Sequence, residues 1–164
     1  MRLVPGKFVR ALAGSALAVG LAGAVAVSAP AANATEAGTQ SLAACNALAG
    51  GNGTPAGAVA WYQRNNGRTS CEHYCELAAE RAYGTSGVWA SAIAHWNGAT
   101  QHRNRNAPLG AFVYWNISQY GHVGVSDGKG GAWATGVGGR IGHISSLNGF
   151  SNYLGWTPAA RPRQ

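Results

Sequence analysis

The sequence predicts an α+β domain in which N-terminal helices pack on a small antiparallel sheet. Apolar residues recur at helical spacing up to about residue 96, whereas from Gly110 onward short β-prone runs alternate with glycine-rich turns. The segment 127–131, DGKGG, separates two of these runs as a hairpin turn would. Because helices precede strands and no strand–helix–strand repeat is visible, the pattern indicates α+β rather than alternating α/β.

The first 34 residues predict a secretory signal peptide. Three basic residues lie within residues 1–10, residues 11–29 are small and apolar, and Ala32-Asn33-Ala34 matches the small-x-small rule for cleavage. A membrane anchor is the alternative interpretation, because the apolar run approaches the roughly 20 residues needed to span a bilayer. The cleavage motif and the abundance of alanine and glycine favour export, with cleavage after Ala34.

The rest of the chain divides into a flexible N-terminal arm at 35–53 and a folded domain at 54–160. The arm is rich in small and polar residues, whereas the domain carries the periodic segments. Removal of the signal peptide leaves nine of the 12 basic residues against five acidic ones, a net charge of +4. A cationic surface of this kind favours an anionic polymer as partner.

The distribution of the basic residues narrows the choice of partner. They are scattered and form no dense run, which favours the anionic cell wall, peptidoglycan, over nucleic acid. We therefore expect peptidoglycan as partner, no nucleic acid, no stable membrane anchor, and a monomer.

Three helices are predicted in the first half of the domain. Thr54 followed by a proline starts one helix at 54–65. Thr69 with Glu72 three residues later matches a capping box and starts a second at 69–84. Apolar residues at helical spacing predict a third at 86–96.

Strands are predicted in the second half. The runs are short, rich in β-branched and aromatic residues, and bounded by glycine. They are AFVYWNI at 111–117, HVGVSD at 122–127, AWATGV at 132–137, RIGHIS at 140–145, and a closing turn and strand at 150–158.

The three cysteines leave one thiol unpaired if a single disulfide forms in the exported protein. We favour a Cys45–Cys71 disulfide, which ties the arm to the central helix and leaves Cys75 free. Pairing of Cys71 with Cys75 is the rival, because residues four apart on a helix share a face. That alternative would abolish thiol chemistry.

Cys75 and His122 are the candidate catalytic pair. Segment 69–84 holds Cys75 together with three of the five carboxylates, and His122 opens a predicted strand. A thiol hydrolase needs a thiolate, a histidine that exchanges its proton, and usually a polar group that orients the histidine. In the predicted helix Cys75 falls in the second turn, where the positive end of the helix dipole helps to stabilise a thiolate.

Several motifs carry a resemblance to a known family. YCELAAERAYG at 74–84, GAFVYWN at 110–116, GHVGVSDGKGG at 121–131 and YLGWTP at 153–158 resemble segments of secreted actinobacterial cysteine peptidases of the NlpC and CHAP types. The resemblance covers about residues 58–158. It implies a papain-like fold and hydrolysis of peptidoglycan amide bonds through a thioester, with Cys75 as nucleophile and His122 as base.

The third catalytic residue is less clearly marked. In the family that the motifs resemble, a polar side chain follows on the strand after the histidine strand, and Thr135 is the polar side chain at that place here. Thr135 is a poor substitute for the residues usual in the family. His143, Asn148 and Asp127 are the fallback candidates.

Aromatic residues are the candidates for substrate contacts. Tyr74 precedes the cysteine and could help to line the oxyanion site, whose main donor is expected to be the backbone amide of Cys75. Trp89, Trp115 and Trp133 could line a substrate groove, although tryptophans also serve as core residues.

We expect no metal and no cofactor. The other histidines, at 73, 95 and 102, have no shared metal-ligand spacing, although a cluster of Cys71, His73 and Cys75 is an alternative. Two further functions stay open: a non-catalytic relative that binds cell wall or another protein, and a small structural protein whose cysteines serve stability.

Overall fold

The structure, a computed structural model, describes residues 32–164. The predicted signal peptide lies outside these residues apart from Ala32 to Ala34. Within the described part of the chain, no helix is both long enough and apolar enough to cross a membrane.

Helices come first in the described chain, as the sequence predicts. Thr54 caps α2 as expected, because its hydroxyl accepts a hydrogen bond from the N–H of Gly57 at 3.0 Å and Pro55 occupies the first helical position. The helix bounds are α1 (Ala32–Asn46), α2 (Pro55–Arg64), α3 (Cys75–Ala82) and α4 (Ala92–Gly98).

The second predicted helix starts later than the sequence indicates. Thr69 and Glu72 match a capping box, yet residues 69–74 form turns and α3 begins at Cys75. His73 interrupts the segment, because its φ of 67° lies in the left-handed region that a right-handed helix cannot use. Cys75 is therefore the first residue of α3 and does not lie in a second turn.

The third predicted helix is shorter for a different reason. Residues 86–91 form a loop, since the Glu80 carboxylate accepts the backbone N–H groups of Val88 (3.1 Å) and Trp89 (2.7 Å). α4 then starts after Ser91, whose hydroxyl caps it.

The predicted flexible arm contains most of α1, which is attached to the domain. Cys45 near its end is bonded to Cys71, with an S–S distance of 2.06 Å, which confirms the favoured pairing. The Ser41 hydroxyl also reaches the carbonyl oxygens of Ser70 (3.1 Å) and Glu72 (3.0 Å). The chain just before α3 is therefore fixed to α1.

All five predicted strands are present and confirm the α+β class. They form one antiparallel sheet in the order β4-β3-β2-β1-β5, and the predicted hairpin at 127–131 joins β2 to β3. Pairing of β1 with β2 sets Trp115 opposite His122. The strand bounds are β1 (Phe112–Trp115), β2 (His122–Ser126), β3 (Ala132–Ala134), β4 (Gly142–Ile144) and β5 (Tyr153–Thr157).

Helices α3 and α4 both pack against β2, and this contact sets the geometry of the site. The layers meet through buried aromatic side chains such as Tyr83 and Phe112, whose ring centroids are 4.9 Å apart. Burial of large rings of this kind contributes about 1.5–3 kcal/mol each. This ring contact holds the C-terminal end of α3 against β1, and a hydrogen bond from the backbone of Val123 to the Cys75 thiol joins the N-terminal end to β2.

We expect loss of the disulfide to destabilise the domain. The bond joins residues separated by 26 positions, so the Cys45→Ala/Cys71→Ala variant should lose about 3 kcal/mol in the free energy of unfolding, measured in denaturant. Cys75→Ser is the matched control, because it keeps the bond and should stay within about 1 kcal/mol of wild type. Equal losses in both variants, or a mass-mapped bridge that includes Cys75, would contradict the assignment.

Candidate active site

A cleft of about 750 Å³ opens at the N-terminal end of α3, next to the first residue of β2. Its wall includes both Cys75 and His122, so the fold brings together the two residues that the sequence pairs. Within residues 32–164, Cys75 is the free cysteine, because Cys45 and Cys71 are bonded to each other.

Cys75 occupies the first position of α3, where backbone N–H groups have no partner within the helix. Its thiol is partly buried and receives a hydrogen bond from the backbone of Val123, the residue next to His122. Burial raises the pKa of the Cys75 thiol to about 11; the Val123 hydrogen bond opposes this rise and the neighbouring Glu76 carboxylate adds to it.

His122 lies in an aromatic environment at the start of β2. Its ring centroid is 4.6 Å from that of Phe150 and 5.9 Å from that of Trp115, and the residue is 9% exposed. Burial lowers the pKa of His122 to about 4, while a hydrogen bond to the backbone of Thr135 opposes this. Within the described chain, the buried Nε2 atom has no hydrogen-bond partner of normal geometry.

These two pKa directions define the resting state of the site. A thiol whose pKa is raised and an imidazole whose pKa is lowered are both neutral near pH 7. Formation of a thiolate–imidazolium pair therefore requires a further interaction that favours the charged forms.

The predicted third residue, Thr135, lines the cleft and is buried, but its contact with His122 comes from the backbone. The fallback candidates lie elsewhere. Asp127 and His143 pair with each other at 2.8 Å beside the β2–β3 hairpin, and Asn148 is exposed on a short 3₁₀ turn. None of these three side chains lines the cleft.

Two of the four aromatic residues predicted to contact substrate line the cleft. Tyr74 directly precedes α3, and its hydroxyl donates a hydrogen bond to the carbonyl of Gly38 on α1 at 3.1 Å. Trp89 stacks on His95, with centroids 5.2 Å apart and an interplanar angle of 7°. Tyr74 and Trp89 are thus held in place by contacts outside the cleft.

The other two predicted contact residues, Trp115 and Trp133, do not line the cleft, which corrects the prediction for both. Trp115 is fully buried behind His122, and its indole N–H donates to the carbonyl of Leu147 at 2.8 Å. The ring of Trp133 packs against His143, 4.9 Å between centroids, and is not part of the cleft wall. Both are packing residues: Trp115 lies opposite His122 in the β1–β2 register and packs behind its ring, and Trp133 lies opposite His143 in the β3–β4 register.

The sequence pattern gives no site role to the carboxylates of the cleft, Glu72, Glu76 and Glu80, and predicts only a helix-capping role for Glu72. Glu76 pairs with His95 at 2.8 Å, and burial raises the pKa of Glu76 while that pairing opposes the rise. Among residues 32–164, no lysine or arginine lines the cleft, so its described charged groups are mainly acidic in a protein that is basic overall. The clustering of acids in residues 72–80 is the sequence signal for this feature.

The disulfide removes two of the alternatives left open by the sequence. Cys71 is bonded to Cys45, so it can neither bridge to Cys75 nor ligate a metal together with His73. In the described residues, no group of three His, Cys, Asp or Glu side chains converges as a metal site requires.

Comparisons with known protein families, with curated proteins and with solved structures find no match. The function is accordingly argued from the residues of the cleft.

The depressed pKa of His122 predicts acid sensitivity. The pKa of His122 is 6.5 in the unfolded chain and about 4 in the folded one. As the pH falls, the unfolded state therefore binds the extra proton first. Between these values wild type should lose more free energy of unfolding than His122→Asn, by up to about 3 kcal/mol, the limit set by burial acting alone. Denaturant unfolding at several pH values measures this difference, and parallel profiles for the two proteins would contradict it.

Proposed function

We propose that this chain is a secreted hydrolase of peptidoglycan amide bonds with a papain-like arrangement of its catalytic groups. One observation carries the proposal: the free thiol at the first residue of α3 and a histidine at the first residue of β2 share one cleft. The most fitting substrates are stem or cross-link peptides of the wall, as the motif resemblance implies.

In the proposed reaction Cys75 transfers its proton to His122, and the thiolate attacks the carbonyl carbon of the amide. The carbonyl oxygen gains negative charge, which the unpaired N–H groups at the start of α3 stabilise. The imidazolium then gives its proton to the leaving amine as the C–N bond breaks, which leaves a thioester. Water, deprotonated by His122, then attacks the thioester carbonyl. The C–S bond breaks, the acyl group leaves as a carboxylic acid, and the thiolate takes the proton back from His122.

Export and the wall as substrate have independent support. The N-terminal sequence has the order of a secretory signal, and a structural disulfide persists mainly in oxidising compartments. The net positive charge of the chain without its signal peptide favours attraction to anionic wall polymers.

A second candidate function, binding of wall peptides without catalysis, is favoured by the resting state of the pair. Burial keeps the pKa of Cys75 high and that of His122 low, and no described side chain hydrogen-bonds to the His122 ring. A cleft of this size could hold a peptide without cleaving it.

We expect Cys75→Ala and His122→Ala each to lower the release of soluble fragments and new amines from purified walls at least ~10²-fold. His102→Ala is the matched control. Its ring stacks on Trp156 at 3.9 Å, outside the cleft, and the variant should keep most of the activity.

The same walls separate the two candidate functions. Wild type that sediments with walls but releases no fragments would support binding alone and reject the hydrolase. Release that survives Cys75→Ala would reject the assignment of the nucleophile.

A further inference from the structure

Four buried polar atoms of the residues that line the cleft lack a hydrogen-bond partner among the described residues; Nε1 of Trp89 and Oε2 of Glu76 are two of them, and the other two are complementary when the imidazole is protonated. One is Nε2 of His122, an imidazole nitrogen, and the other is Oε2 of Glu72, a carboxylate oxygen. His122 is more than nine-tenths buried, so a nitrogen without a hydrogen-bond partner there carries a free-energy cost. Pairing these two groups would remove both costs.

Gly136 shows that the two side chains approach the same point. A Cβ atom at Gly136 would lie 3.8 Å from Cε1 of His122 and 3.9 Å from Oε1 of Glu72. Glu72 reaches this point from the turn before α3, and His122 reaches it from β2. Because glycine has no side chain, the space between carboxylate and imidazole stays open.

Three glutamates line the cleft, and the carboxylates of the two other than Glu72 already have hydrogen-bond partners. Glu76 is hydrogen-bonded to His95, and Glu80 accepts two backbone N–H groups of the 86–91 loop. The second oxygen of Glu76 also lacks a partner, but its carboxyl group is held by His95. Besides Glu72 and His122, the titratable groups that line the cleft are His73, Tyr74, Cys75, Glu76, Glu80 and Tyr120.

The backbone that carries Glu72 is fixed. Cys71 beside it is bonded to α1, and the Ser41 hydroxyl contacts the Glu72 carbonyl at 3.0 Å. His73 on the other side has a φ of 67°, in the left-handed region that is unfavourable for a non-glycine residue. The strained turn places Glu72 at the cleft instead of on the first turn of a longer helix.

We propose that Glu72 is the positioning residue of this site, the carboxylate that accepts a hydrogen bond from His122 and stabilises its protonated form. This inference rests on the proposed Cys75–His122 pair. Rotation of the glutamate side chain brings its unpaired oxygen to Nε2 across Gly136. The other ring nitrogen then takes the proton from Cys75 and gives up its contact with the Thr135 backbone. The carboxylate fills the role that the sequence gives to Thr135, the residue just after β3.

The physical consequence is a shift of the proton from thiol to imidazole. A carboxylate next to His122 raises the pKa of the imidazole, opposing the effect of burial, and the resulting imidazolium lowers the pKa of the Cys75 thiol. Glu72 acting directly on the thiol would do the opposite, since like charge raises a thiol pKa. The two modes of action therefore change the pKa of the Cys75 thiol in opposite directions.

Alkylation of Cys75 by iodoacetamide, followed by intact mass, tests this inference without any wall substrate. Near neutral pH we expect Glu72→Gln to react about tenfold more slowly than wild type, and Glu72→Asp to restore part of the rate. Glu76→Gln is the matched control with opposite sign, because the Glu76 carboxylate raises the pKa of Cys75 and its removal should leave alkylation equal or faster.

The His122→Asn background supplies the decisive comparison. If Glu72 acts through His122, Glu72→Gln should have no further effect there; an equal slowing in that background would overturn the inference. Equal or faster alkylation of Glu72→Gln in the otherwise wild-type protein would also overturn it. A protein that alkylates as expected but leaves walls intact would reject the proposed function and retain the role of Glu72.

A second measurement requires no change at Glu72. In Cys75→Ser protein, where no thiolate contributes, an NMR titration reports the pKa of His122 directly. Interaction with Glu72 predicts a pKa well above the value of about 4 that burial gives, whereas titration near 4 would show that Glu72 does not engage the ring.

Discussion

The Cys45–Cys71 disulfide is the constraint on which the site depends. It fixes the chain four residues before Cys75 to α1, and the Ser41 contacts fix the same turn a second time. The turn then ends in the left-handed His73, so α3 can start only at Cys75. By using two of the three cysteines, the same bond leaves the third thiol free at a helix N-terminus.

The sheet could be predicted from sequence because its signals are local. Apolar runs and glycine turns mark each strand, and short connections set the antiparallel order of β1 to β4. The pairing of β5 with β1 at the far edge has no such local signal. Helix starts were predicted less well where distant groups decide them. Thr69 and Glu72 have the spacing of a capping box, but tertiary contacts of that turn prevent a helix from starting there. In the same way, hydrogen bonds to the Glu80 carboxylate keep residues 86–91 in a loop.

The candidate site was predicted in part. Cys75 and His122 were paired from motifs, and the fold places both in one cleft. Trp115 was wrongly assigned to the cleft wall because hydrophobic periodicity does not show whether a side chain on a central strand is covered. Here the Trp115 ring is fully buried behind the ring of His122. Glu72 was missed because its sequence context assigned it to a helix cap. Its unpaired oxygen becomes visible only when the turn, β2 and Gly136 are seen together.

The central claim is that Cys75 forms a covalent acyl intermediate with a wall peptide. The most direct measurement is intact-protein and peptide mass spectrometry after acid quench of the protein with purified peptidoglycan fragments. The account predicts an added acyl mass on Cys75 that hydroxylamine removes, as expected for a thioester. Release of fragments while Cys75 stays unmodified, or an adduct on another residue, would contradict it.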